Sequence, residues 1–116
     1  MPIAELAQSL KNSLHAATIG IVGEPSRFVE SIAIVCGAGG EFLADAIRAK
    51  ADAFLTGELR FHDQLAAQAA GLAVLLPGHY ATERFGVEEL AERLQKQFPE
   101  LQVWASRRER DPLQCV

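Results

Sequence analysis

His79 and Glu83 stand four residues apart. On a helix that spacing puts two side chains on one face, with about 5–6 Å between their Cβ atoms. If a helix begins near Tyr80, the imidazole and the carboxylate can grip one divalent ion, and such a donor pair suits zinc, manganese or iron. The same residues also read as a helix-start histidine and an exposed glutamate, because a carboxylate is favoured near the positive end of a helix whatever it binds. Glu58 and His62 repeat the spacing, with Asp63 following. Taken alone, they read as the solvated first turn of a helix.

Other candidates are weaker. A His-Asp dipeptide occurs in metal phosphohydrolases, but the remaining His and Asp positions do not supply the other ligands of such a site. Gly37-Ala38-Gly39-Gly40 could cradle an anion on free backbone N–H groups, or it could simply turn the chain from strand to helix. It is not a dinucleotide fingerprint, because Phe42 stands where the third glycine belongs, and no Lys-Ser/Thr follows to make a P-loop. His15 reads as a surface histidine at a helix end, and Trp104 as a core or interface residue. The run Arg107-Arg108-Glu109-Arg110 reads as a solvated face, with phosphate gripping as a second reading. No Ser/His/Asp or Cys/His order stands out.

These residues need a scaffold that gathers loops at one edge. Ile3, Leu6, Leu10 and Leu14 recur at spacings of three and four, the stripe of an opening helix. A short β-branched run, Thr18 to Val22, closes at Gly23-Glu24-Pro25. Strands are expected over Ser31–Cys36, Ala53–Thr56, Leu72–Leu76 and Leu101–Trp104. Between them, helices are expected from Phe42 to Ala51, from Phe61 to Ala70 with Gly71 as C-cap, and from Val87 to Phe98. Alternating apolar strands and helices imply an α/β fold with a parallel or mixed sheet and helices packed on it. In such a sheet ligands bind at the carboxyl ends of the strands, where Gly37–Gly40, Thr56-Gly57-Glu58 and Pro77–Glu83 all fall.

The chain has 116 residues, enough for one α/β domain over residues 1–116, and is 49% hydrophobic and 22% charged, which excludes a disordered tail. A net charge of −4 argues against nucleic-acid or anionic-membrane binding by bulk electrostatics. Two cysteines cannot build a disulfide scaffold. Cys36, in an apolar run, is expected to pack as a small buried hydrophobe, and Cys115 as a tail thiol. The uncharged stretch from Gln64 to Thr82 is broken by Gly71, Pro77 and Gly78. The first residues, Met1-Pro2-Ile3-Ala4-Glu5, lack the basic start of a signal peptide. A cytoplasmic protein is therefore expected.

Three ordered motifs, taken together, carry a family resemblance. Val35-Cys36-Gly37-Ala38-Gly39-Gly40, Ala51 through Asp63 (Ala-Asp-Ala-Phe-Leu-Thr-Gly-Glu-Leu-Arg-Phe-His-Asp) and Gly78-His79-Tyr80-Ala81-Thr82-Glu83 resemble the C-terminal half of the Nif-three-like family, also called GTP cyclohydrolase I type 2-like. The resemblance runs from about Ile32 to Asp111-Pro112.

It implies a single lobe of a two-lobed fold, often assembled into a homo-oligomer, with two divalent ions held between the lobes. By that resemblance His79 would bind one ion and Glu83 would bridge both. Glu58 and His62 would line the same cleft, where either could move a proton. The family's other half contributes a paired-histidine motif and an aspartate, and this sequence contains no His-His. Gly40, where many relatives have Ser, and Leu113, where an aromatic is common, are smaller departures. The resemblance thus implies a metal-dependent hydrolase lobe with an incomplete site, which a separate chain carrying the N-terminal lobe could complete. A non-catalytic oligomerisation or docking module is the alternative.

Overall fold

Ile3, Leu6, Ala7 and Leu10 fall on one stripe of the first helix, α1 (Ile3–Ser13), and that stripe is what the helix buries. It lies against a sheet whose central strands are apolar on both sides. The computed structural model describes all 116 residues. After α1 the order is β1 (Gly20–Val22), β2 (Ile32–Ala38), a 3-10 turn (Gly40–Phe42) leading into α2 (Leu43–Arg48), β3 (Ala53–Glu58), α3 (Phe61–Ala69), β4 (Ala73–Leu76) and α4 (His79–Gln97). The strands lie in the order β1-β4-β3-β2. β2, β3 and β4 run parallel, and β1 joins β4 antiparallel, so the sheet is mixed.

Residues of β3 alternate between two cores. Ala53 and Leu55, with Ala73 and Leu75 of β4, pack under Ile3 and Ala7 of α1. Phe54 and Val74 point the other way, onto Leu43 and Ala46 of α2 and Ala67 of α3. Burial of each large side chain contributes about 1.5–3 kcal/mol, and Phe54, Val74 and Leu75 are fully buried. Gly71, at φ +71°, ends α3 as a left-handed cap.

Asp52 ties the starts of β2 and β3 together. One carboxylate oxygen accepts from the backbone N–H of Glu30 (3.0 Å) and Ser31 (2.9 Å) and from the Ser31 hydroxyl (2.8 Å). Led by the Ser31 hydroxyl, these donors hold the Asp52 carboxyl below the usual aspartate range. A carboxyl depressed on folding stabilises the fold above its unfolded pKa, and that contribution fades as pH falls through the folded value. Asp52→Ala is therefore expected to melt below the parent at neutral pH, with the gap closing on acidification. A series of thermal melts from neutral to acid pH reads this directly; a gap independent of pH would contradict it.

Three expectations need correction. Leu101–Trp104 is not a strand: the Gln95 side chain of α4 donates to Leu101 O (2.8 Å) and accepts from Val103 N (2.9 Å), taking the backbone groups a sheet neighbour would use. Trp104 is consequently 65% exposed rather than core. Cys36 is exposed, not buried, because β2 is an edge strand whose Ile32, Ile34 and Cys36 side lies beyond the cover of the helices. The last helix also begins eight residues before Val87, at His79. No helix is long and apolar enough to cross a membrane.

Candidate functional site

Three strand ends converge at the carboxyl edge of the sheet. β2 ends in Gly37-Ala38, β3 in Gly57-Glu58, and β4 leads through Pro77-Gly78 into α4. Gly78, at φ +106°, occupies the N-cap of α4, and its N–H donates to Gly57 O at 3.1 Å. The first helical residue is thereby set directly over β3.

That first residue is His79, and a carboxylate brackets each of its ring nitrogens. Nδ1 lies 2.9 Å from Oε1 of Glu58, at the end of β3, and Nε2 lies 3.1 Å from Oε1 of Glu83, one turn along α4. All three side chains are about half exposed. The Glu58 hydrogen bond, assisted by the charge of Glu83, outweighs partial burial and raises the His79 pKa. In the ion-free chain the protonated ring is thus the favoured partner of both carboxylates.

Two buried threonines hold the glycine loop over this cluster. Thr56, fully buried, donates its hydroxyl to Gly37 O (3.0 Å) and accepts from Gly39 N (3.0 Å). Thr82 accepts from Gly37 N (2.9 Å), and its hydroxyl proton turns toward His79 O (2.9 Å). The loop can come this close only because Gly37 and Gly39 carry no side chains. A Cβ on Gly37, at φ +68°, would stand 2.6 Å from Glu83 Oε1 and 3.0 Å from His79 Nε2. A Cβ on Gly57 would stand 2.7 Å from both Gly37 O and the His79 Cα.

Glu58, His79 and Glu83 are thus brought together, whereas His62 is not. It lies exposed at the start of α3, its ring tilted against Phe61 at a centroid distance of 5.9 Å, with no hydrogen bond to the cluster. Thr56 and Thr82 went unremarked in sequence as site residues. The one signal for them is that each sits inside a quoted motif, Thr-Gly-Glu and His-Tyr-Ala-Thr-Glu. The Gly37–Gly40 loop spends its backbone on the two threonines: the N–H groups of Gly37 and Gly39, which an anion would need, are already taken.

The donor set can be tested against a divalent ion. Two ligands each about 2.1 Å from one metal and about 95° apart are separated by roughly the 3.1 Å found between His79 Nε2 and Glu83 Oε1. Glu58 on Nδ1 is the orienting carboxylate that metal-bound imidazoles commonly have. No group of three His, Cys, Asp or Glu side chains in the chain is arranged to hold an ion. The residues fit part of a coordination sphere, supplying two donors and one positioning group. A cleft of about 890 Å³ opens beside Glu58 and His79, bounded by the α1–β1 loop, the start of α4 and the C-terminal segment.

Fold and cluster together define an α/β lobe with a histidine–carboxylate group at the C-terminal edge of its sheet. The family model described as Duf34/NIF3 (NGG1p interacting factor 3) matches residues 1–112, and the chain belongs to that family. It is 36% identical over 97 residues to the GTP cyclohydrolase 1 type 2 homolog of Pyrococcus horikoshii, an alignment covering 84% of this chain and 38% of that protein. With the Bacillus subtilis protein of the same name it shares 36% over 81 residues, 70% of this chain and 22% of the relative. Among solved structures, Staphylococcus aureus protein SA1388 superposes with a TM-score of 0.91 at 30% identity, over all of this chain and 39% of that one. Reduced HcgD from Methanocaldococcus jannaschii gives 0.68 at 27% identity, over 82% of this chain and 39% of that one. The chain spans well under half the length of these relatives.

Proposed function

We propose that this chain is a divalent-metal-binding lobe, with His79 and Glu83 as ligands to zinc, manganese or iron and Glu58 fixing the imidazole. The observation that carries the reading is the linear arrangement Glu58–His79–Glu83 under a loop kept bare at Gly37. A carboxylate accepting from Nδ1–H fixes the ring, so that when Nε2 gives up its proton to an ion its lone pair is already aimed beside Glu83. A bound ion would acidify a coordinated water or polarise a substrate oxygen. Around it, Glu58 holds the Nδ1 proton, Glu83 supplies negative charge, and the adjoining cleft gives a substrate access to the His79 edge.

The relatives' name suggests hydrolytic opening of a purine nucleotide. We carry that to the family protein as a whole and not to this lobe alone, which offers two donors where a catalytic ion usually has three protein ligands. The remaining ligands would come from residues outside this chain, and turnover by the chain alone is expected to be negligible. His62 keeps a substrate-facing role in this reading only if the completed cleft reaches the start of α3.

Calorimetric titration of the purified chain with Zn²⁺ and Mn²⁺ tests the reading. Glu58→Gln, which keeps the shape but offers a weaker acceptor to Nδ1, is expected to weaken binding about tenfold. No change on Glu58→Gln would remove its positioning role, and no binding by the parent chain would remove the metal reading.

A further inference from the structure

One guanidinium pins the last segment of the chain to α4. Arg84 follows Glu83, and its side chain is only 16% exposed. Its Nε donates to Oε1 of Glu88, one turn along the helix (3.0 Å), which fixes the plane of the fork. The two terminal nitrogens then serve the last segment: Nη1 donates to Oε2 of Glu109 (3.1 Å) and Nη2 to Ser106 O (2.5 Å). A guanidinium alone among side chains offers three nitrogens in one rigid fork.

Beyond that tie the segment is held lightly. Every residue from Arg107 to Val116 is exposed, and no backbone N–H or C=O of that stretch bonds to anything outside residues 106–116. Its far end nevertheless reaches the other side of the cleft. Cys115 Sγ lies 3.5 Å from Oγ1 of Thr18, in the loop between α1 and β1. The segment thus crosses from α4 to the α1–β1 loop, and between these points Arg110, Asp111 and Leu113 wall the cleft that also holds Glu58 and His79. A stretch tied firmly at one end, touching weakly at the other and burying nothing opens at low free energy by swinging about its tie.

We infer that residues 107–116 are a strap that opens and closes over the cleft beside His79. Arg84 is its latch on α4, and the Thr18–Cys115 contact is its closed position. The strap controls access to the His79 edge and supplies no ligand of its own. It therefore stands or falls separately from the metal reading.

Carbethoxylation by diethyl pyrocarbonate, with chelator present and each modified histidine located by mass spectrometry, reads access site by site. His62, exposed at the start of α3 and outside the cleft, is the internal reference. A Thr18→Cys/Cys36→Ser variant treated with oxidised glutathione is expected to bridge to Cys115 and close the strap covalently. Relative to His62, the bridged protein should react at His79 about tenfold more slowly than the same variant reduced. Arg84→Lys, which keeps the charge but loses the fork, should raise the relative rate about threefold over the parent. Glu109→Gln, on the exposed strap itself, should raise it in the same direction with circular dichroism unchanged. Failure of the bridge to form, or a His79 rate indifferent to bridging, would overturn the inference. Parent-like rates in both Arg84→Lys and Glu109→Gln would overturn Arg84 as the latch.

Discussion

Gly57→Ala is expected to lower the unfolding free energy by about 3 kcal/mol and to disperse the histidine–carboxylate cluster with it. The added methyl group would stand 2.7 Å from Gly37 O, 2.7 Å from the His79 Cα and 2.9 Å from the Thr82 hydroxyl. Two of these are backbone atoms of different elements, so no rotamer change relieves the contact. Either β2 or the start of α4 must move off β3. The loss is a large share of the 5–15 kcal/mol that holds an ordinary domain together. Chemical denaturation of parent and variant measures it. A variant within 0.5 kcal/mol or so of the parent, inside the usual range of a neutral surface change, would mean that the three strand ends are not packed as described.

Gly37→Ala should separate the site from the fold. Gly37 has φ +68°, where alanine is strained by about 1 kcal/mol relative to glycine. Its new methyl group would meet the Glu83 carboxylate at 2.6 Å and His79 Nε2 at 3.0 Å, both at the ends of side chains. Those ends can swing aside, so the backbone keeps its course while Glu83 loses its place opposite Nε2. Stability should fall by only about 1–2 kcal/mol, while affinity for Zn²⁺ or Mn²⁺ falls at least tenfold. Paired denaturation and calorimetry on the same preparation give both numbers. A variant that keeps full affinity would show that the ion does not sit between His79 and Glu83.

Much of this lobe was readable before any coordinates. The apolar runs of β2, β3 and β4 are separated by helical segments of suitable length, and that rhythm is sufficient for an α/β sheet. Strand ends gather on one edge in such a sheet, which put the Glu58 loop and the His79–Glu83 loop side by side; it was the family resemblance that placed Glu58 in one cleft with His79 and Glu83, and it placed His62 there as well. The position of β2 was not readable. A continuous apolar run looks the same whether its strand is central or at an edge, so Cys36 read as buried. The start of α4 was obscured because Gly78 caps it without a side chain and no apolar period runs from His79 to Gly86. Leu101–Trp104 alternates as a strand does, yet Gln95, six residues back, competes for its backbone, and no local pattern reports that. The Thr56 and Thr82 contacts with Gly37 and Gly39 join residues 17 to 45 apart in sequence. They exist only once the strands are paired.

The central claim is that His79 is the ion-binding pivot of this lobe. Metal content per chain, measured by elemental analysis after equilibrium dialysis against a fixed concentration of free Zn²⁺, tests it most directly on the parent and on His79→Ala. The account predicts ion retained by the parent and lost from His79→Ala, with the variant folded as judged by circular dichroism. Equal metal content in the two proteins, whether both hold ion or neither does, would contradict it.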